Sequence, residues 1–106
     1  MNRKLAFIIT SDKYARHISG LIEAAAEKEY AVSIFIMDKG VFLTEDKQFI
    51  SLIKKYEQNI DMVSVCEHSC VVNGVISRSD DFNYASQFEN AKMVSGLEEK
   101  DRILLF

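Results

Sequence analysis

Both cysteines of the chain and one of its two histidines fall within five residues, as Cys66, His68 and Cys70. Grouped thiol and imidazole side chains offer three kinds of chemistry. A thiol at the start of a helix faces unpaired backbone N–H groups, an environment that favours a nucleophilic thiolate. Two thiols four residues apart share one face of a helix, about 6 Å from each other, so Cys70 is a candidate resolving partner for Cys66. Thiolate, imidazole and thiolate are also zinc ligands, but a closed site needs a fourth ligand and no second cluster of ligands occurs. Neither a metal nor a cofactor is expected. Against all three stands the plain alternative that Cys66 and Cys70 are small buried hydrophobes, since free cysteine is among the most buried residue types.

These residues have to be held by something, and the hydropathy pattern supplies it. Leu5–Ile9 is a continuous apolar run, as in a strand covered on both faces. Thr10, Ser11 and Asp12 then offer capping oxygens to a helix whose stripe is Tyr14, Ile18, Leu21, Ile22 and Ala25. Ala31–Met37 is a second strand, closed by Asp38-Lys39-Gly40, where Gly40 can take a positive φ. Val41, Phe42 and Leu43 sit in the connection, and Thr44 is placed to cap a second helix carrying Phe49, Ile53 and Tyr56. Ile60–Val65 is a third strand that delivers Cys66, and Glu67–Val72 suits a short helix stopped by Asn73-Gly74. Beyond the polar loop 78–83, Ser86-Gln87-Phe88-Glu89 has the form of a capping box before a helix through Ala91 and Val94 to near Leu97. Arg102–Phe106 is a last strand.

Strands alternating with helices build a three-layer α/β/α domain around a mostly parallel sheet of four to five strands. Right-handed crossovers suggest a strand order of about 2-1-3-4. Sites in such sheets lie beyond the carboxyl ends of the strands. Three loops meet there: Thr10–Asp12, Asp38–Leu43 and Cys66–Cys70. Cys66 is therefore expected at the rim, outside the middle of the core. Ser11, Asp12, Gly40, Glu67, His68 and Cys70 are its candidate accessory residues. The loop after the first strand, Thr10-Ser11-Asp12-Lys13, contains no glycine, which argues against a phosphate cradle for a flavin or dinucleotide. His17 reads as an ordinary surface histidine.

Composition excludes several classes. A chain of 106 residues is one domain, 1–106. Hydrophobic residues make up 48% of it and charged residues 27%. That is the make-up of a folded globular protein, and the absence of proline leaves no linker. The net charge of −3, with basic residues scattered, provides no field for nucleic acid or anionic lipid. No run approaches the roughly 18 apolar residues of a membrane span, and the five apolar residues after Lys4 are too few for a signal peptide. A cytoplasmic protein is expected, and two cysteines in a reducing compartment argue against a structural disulfide.

The pattern resembles the DsrE/DsrF-like family, which includes sulfur-relay proteins of tRNA thiolation and dissimilatory sulfur oxidation. The resemblance runs through the strand Lys4–Thr10 and its helix, Asp38-Lys39-Gly40-Val41, the helix 44–58, and Val65-Cys66 followed, eight residues after the cysteine, by Gly74-Val75. It ends with Lys100-Asp101-Arg102-Ile103-Leu104-Leu105-Phe106, similar to the family's Ala-Asp-Arg-Val-Leu-x-Phe. In its carrier members the cysteine matching Cys66 holds sulfur as a persulfide and passes it on. Cys70 departs from the pattern, because carriers commonly have a small residue there.

The resemblance implies a homo-oligomer, from dimer to hexamer, with Val41-Phe42-Leu43 and the loop 78–84 as interface candidates. It implies protein sulfur donors and acceptors as partners. A sulfur carrier working through Cys66 is the leading expectation. Its alternatives are a non-catalytic oligomeric binding module with structural cysteines and a Cys66/Cys70 redox switch.

Overall fold

The computed structural model describes residues 3–86, 88, 92, 95–97 and 101–106. Five strands, β1 (Lys4–Ile9), β2 (Ala31–Ile36), β3 (Ile60–Cys66), β4 (Asn83–Ala85) and β5 (Arg102–Leu105), form one sheet in the order β4-β3-β2-β1-β5. Every pairing in it is parallel. Helices among the described residues include α1 (Ala15–Glu27), a 3₁₀ helix (Asp38–Glu45), α2 (Lys47–Lys55) and α3 (Glu67–Asn73).

The expected α/β class and parallel sheet are present, but the order 2-1-3-4 is not. The third strand lies against β2, with Ile34 beside Val63 and Ile36 beside Val65, instead of against β1. The handedness rule fixes how each crossover turns, not the side on which the next strand is added. Burial decides the side here. β2 is buried from Val32 to Ile36, as befits a central strand, while the free edge of β1 is taken by β5, with Phe7 beside Leu104. β1 to β4 are laid down in one direction, so right-handed crossovers place α1, α2 and α3 on the same face.

Alternation along the strands sorts their side chains between two clusters. Phe7 and Ile9 of β1, Val32, Ile34 and Ile36 of β2, and Val63 and Val65 of β3 point toward the helices. There they meet Ile18, Ile22 and Ala25 of α1, Phe49 and Ile53 of α2, and Val41 and Leu43 of the 3₁₀ helix. Full burial of each large side chain contributes about 1.5–3 kcal/mol. On the opposite face Ala6, Phe35 and Cys66 form a smaller cluster, with Ile8, Met37 and Leu97 packed at its margin.

Several local expectations are corrected. Thr10, Ser11 and Asp12 do not cap α1. The helix starts later, after Tyr14, with no side-chain cap, and the Ser11 hydroxyl instead accepts from the Lys13 N–H. Tyr14 and Leu21 keep partial exposure, so the buried stripe of α1 is Ile18, Ile22, Ala25 and Ala26. Thr44 is not the cap of α2. Its hydroxyl donates to the Val41 carbonyl, and Asp46 caps the helix by accepting from the Gln48 and Phe49 N–H groups.

Gly40 does not take a positive φ; Asp38 does, at 51°. Gly40 is required for room, since a Cβ there would lie 2.6 Å from the Ile9 carbonyl oxygen. Val41 and Leu43 are core residues, while Phe42 keeps partial exposure. The polar loop 78–83 leads into a strand, β4, that its three residues gave no apolar run to announce. The capping box and the helix of residues 86–97 lie largely outside the described residues, of which 88, 92 and 95 are helical. Among the described residues no helix is long and apolar enough to cross a membrane.

Candidate functional site

β3 changes direction at Cys66, which is both its last residue and the N-cap of α3. The turn back at the far end is made by Gly74, in the left-handed conformation at φ 71°, where the Gly74 and Val75 N–H groups close onto the Val71 and Cys70 carbonyls. This Asn73-Gly74 stop matches the expectation.

A second clasp joins α3 to the end of β2. The Asp38 N–H donates to Ser69 Oγ at 2.9 Å, and the Asn73 side-chain amide donates to the Asp38 carbonyl at 3.3 Å and the Ser69 carbonyl at 2.8 Å. The left-handed backbone of Asp38 is what presents its peptide groups to α3, and asparagine and aspartate tolerate that conformation better than most residues. The same segment is tied to β1, because the Met37 N–H donates to the Ile9 carbonyl and the Gly40 N–H to the Met37 carbonyl. The carboxyl ends of β1 and β2 are thus joined through backbone, and α3 is tied to them by the Ser69 and Asn73 side chains.

Cys66 stands at that edge, as expected, but it is not open. Its residue exposure is 1%, and its side chain lies against Ala6 and Phe35 on the second face of the sheet. The expectation of a rim thiol holds for its place in the chain and fails for its accessibility, because the second face is covered over it, with Leu97 at the margin. Cys70 is equally buried but belongs to the other cluster, beneath α3. The two thiols therefore pack on different sides of the sheet plane, in contrast to the shared helical face expected of residues four apart. Cys66 is the cap, with extended backbone at ψ 113°, so helical spacing does not apply to it. Burial pushes the Cys70 thiol above its ordinary value; Arg78 pulls it back in part, and the negative potential of Cys66, Glu67 and Glu45 adds to the rise.

The accessory candidates separate into two groups. Glu67 and His68 are exposed at the start of α3, and Glu67 pairs with Arg78 at 3.3 Å. Such a solvent-exposed pair contributes little. Gly40 is buried in the 3₁₀ helix that packs on α3. Ser11 and Asp12 follow β1, the strand separated from β3 by β2. His17 is exposed on α1. Among the described residues no group of three or more His, Cys, Asp or Glu side chains is arranged to hold a metal.

Ser64 and Ser69 carried no expectation from the sequence, and Asn73 was expected only to stop α3. Ser69 and Asn73 make the clasp, and Ser64 lies two residues before Cys66 on the same strand. Ser64 is 1% exposed and its hydroxyl has no hydrogen-bond partner. A serine between Val63 and Val65, inside a buried strand, was its signal.

Residues 3–104 match the DsrE/DsrF-like family, and the chain belongs to it. No curated protein matches the sequence. Among solved structures it is similar to the ychN protein of E. coli, with a TM-score of 0.70 at 13% identity over 100% of both chains. It is also similar to a conserved protein of unknown function from Bacteroides thetaiotaomicron, with a TM-score of 0.70 at 16% identity over 97% of this chain and 94% of that one. At these identities the likeness is one of fold.

Proposed function

We propose that this protein is a sulfur carrier that accepts a sulfane sulfur on Cys66 and yields it to a thiol of a partner protein. The observation that carries the reading is that a chain of the DsrE/DsrF-like family has a cysteine as the last residue of β3, at the carboxyl edge of the sheet. The Cys66 thiolate attacks the outer sulfur of a donor persulfide. A new S–S bond forms at Cys66, the donor's S–S bond breaks, and its electron pair leaves with the donor thiolate. Transfer onward repeats the exchange with an acceptor thiol, so no oxidant or reductant is consumed. Because Cys66 is buried, loading requires its cover to open.

The test is the intact mass of the native protein after incubation with inorganic polysulfide, with and without reductant. A reducible gain of one sulfur is expected in the wild type and in Cys70→Ser, and none in Cys66→Ser. Loading that persists in Cys66→Ser refutes the assignment.

The burial of Cys66 favours a second reading, a non-catalytic oligomeric binding module. Val71, Val72 and Ile76 are largely exposed. They form apolar surface on and just beyond α3, suited to a subunit contact. That reading predicts thiols that resist alkylation until the protein unfolds, and rapid labelling of native Cys66 counts against it. The redox switch is the weakest of the three, since a Cys66–Cys70 bond would have to join thiols packed in separate clusters.

A further inference from the structure

Ser64 is the one buried side-chain polar atom without a partner among the described residues. Its hydroxyl sits in β3 between Phe35 of β2 and Asn83 of β4. A hydroxyl taken from water and left unpaired is destabilising, and alanine or valine would fill a strand interior at less cost. The neighbour two residues along the same face is Cys66, about 6.6 Å away along the strand. Ser64 makes no hydrogen bond to the Cys66 sulfur or to any other atom. The described apolar side chains clustered with Cys66 are Ala6, Ile8, Phe35, Met37 and Leu97.

We infer that the Ser64 hydroxyl binds the terminal sulfur of a persulfide carried on Cys66. The inference rests on the sulfur-carrier reading above. One added sulfur lengthens the Cys66 side chain by about 2 Å. That is the right order of extension to bring its end from beyond hydrogen-bonding distance into reach of an oxygen two residues away. The terminal atom also gains from a donor, because it carries the negative charge once its proton is lost and Cys66 is only 1% exposed to solvent. Ser64 supplies an O–H that the sulfur-free protein leaves unused. The ligand class is therefore sulfane sulfur, held as a covalent persulfide on the second face of the sheet.

The inference reverses the usual effect of removing a hydroxyl, and that reversal is the test. Wild type, Ser64→Ala and Ser64→Thr are compared with and without loading by inorganic polysulfide, following Tm and, by intact mass, the lifetime of the bound sulfur. Without sulfur, Ser64→Ala is expected to be as stable as the wild type or more so. Loading is expected to raise the Tm of the wild type and leave that of Ser64→Ala unchanged, with Ser64→Ala losing its sulfur several-fold faster. Ser64→Thr, which keeps the hydroxyl, is expected to restore the lifetime. If sulfur-free Ser64→Ala is clearly less stable than the wild type, the hydroxyl already has a partner, and the inference is overturned. Equal lifetimes in the two loaded proteins overturn it as well, while leaving the carrier reading intact. A wild type that takes up no sulfur removes both.

Discussion

On one face of the sheet, seventeen buried residues among those described, from strands, helices and the 3₁₀ helix, form a continuous apolar cluster. On the other, the described residues contribute three, Ala6, Phe35 and Cys66. The first face contains Cys70, locked under α3 with its proton held by burial. The second contains Cys66 and, in the same row of β3, an unpartnered serine. β5, at the edge of the sheet, also leaves apolar surface open, with Leu105 71% exposed. The difference teaches that two thiols four residues apart in sequence have separate surroundings, Cys70 in the large cluster and Cys66 on the face that also holds Ser64.

The same truncation on the two faces is the strongest way to break that contrast. Phe49→Ala, on the first face, should cost about 3–5 kcal/mol, read from denaturant unfolding, with no selective effect on either thiol. Phe35→Ala, on the second, should fall toward the lower end of that range. It should also speed alkylation of native Cys66 several-fold while leaving Cys70 protected. If both truncations unmask both cysteines alike, the faces are not independent.

Gly40→Ala tests the junction between β1 and the 3₁₀ helix. The added methyl meets the Ile9 backbone, which cannot swing aside as a flexible side chain would. A loss of about 1–3 kcal/mol is expected from the unfolding midpoint. The control is Gly20→Ala in α1, where an added Cβ meets nothing within 4 Å. There a gain of about 0.5–1 kcal/mol is expected.

The smallest effect is in pH dependence. The Cys70 pKa is raised on folding, so the native state holds that proton more tightly than the unfolded chain does. Its contribution is complete below the ordinary thiol value of 9.0 and is lost as pH climbs above it. Stability should therefore fall with rising pH beyond 9.0 in the wild type. The fall should be shallower in Cys70→Ala, measured as the slope of unfolding free energy against pH. An unchanged slope would mean that Cys70 is not what the first face shields.

Much of this was legible from the chain. The continuous apolar run Leu5–Ile9, and the segment from Val32 to Ile36 interrupted only by Ser33, identify strands buried on both sides. The Ile18/Ile22 and Phe49/Ile53 spacings identify the faces of α1 and α2. Asn73-Gly74 announced the end of α3 through a property of glycine itself. The strand order was not legible, because it depends on which edge of β1 or β2 is better covered, a competition among residues far apart in sequence. Nor was the role of Asp38, since the peptide that takes the left-handed turn is chosen by the hydrogen bonds waiting on α3. The position of Cys66 could be read from the pattern, but its burial could not. Whether a thiol at a strand end is open depends on what crosses the opposite face, and alternation within β3 says only which face that is.

The pairing of β5 with β1 has a consequence in time. The Lys4 N–H bonds to the Asp101 carboxylate across a separation of 97 residues, and β5 reaches the sheet only by closing nearly the whole chain into a loop. Contacts of that span cost chain entropy before they return anything, and they form late. β1, β2 and β3 can assemble with their helices while β5 is still undocked. The amides of β5, an edge strand of four residues, are then expected to exchange with solvent deuterium ahead of those of β2. The order in which this protein dries its interior would leave the edge beside β1, where Leu104 and Phe106 pack on the larger cluster, among the last to close and among the first to breathe.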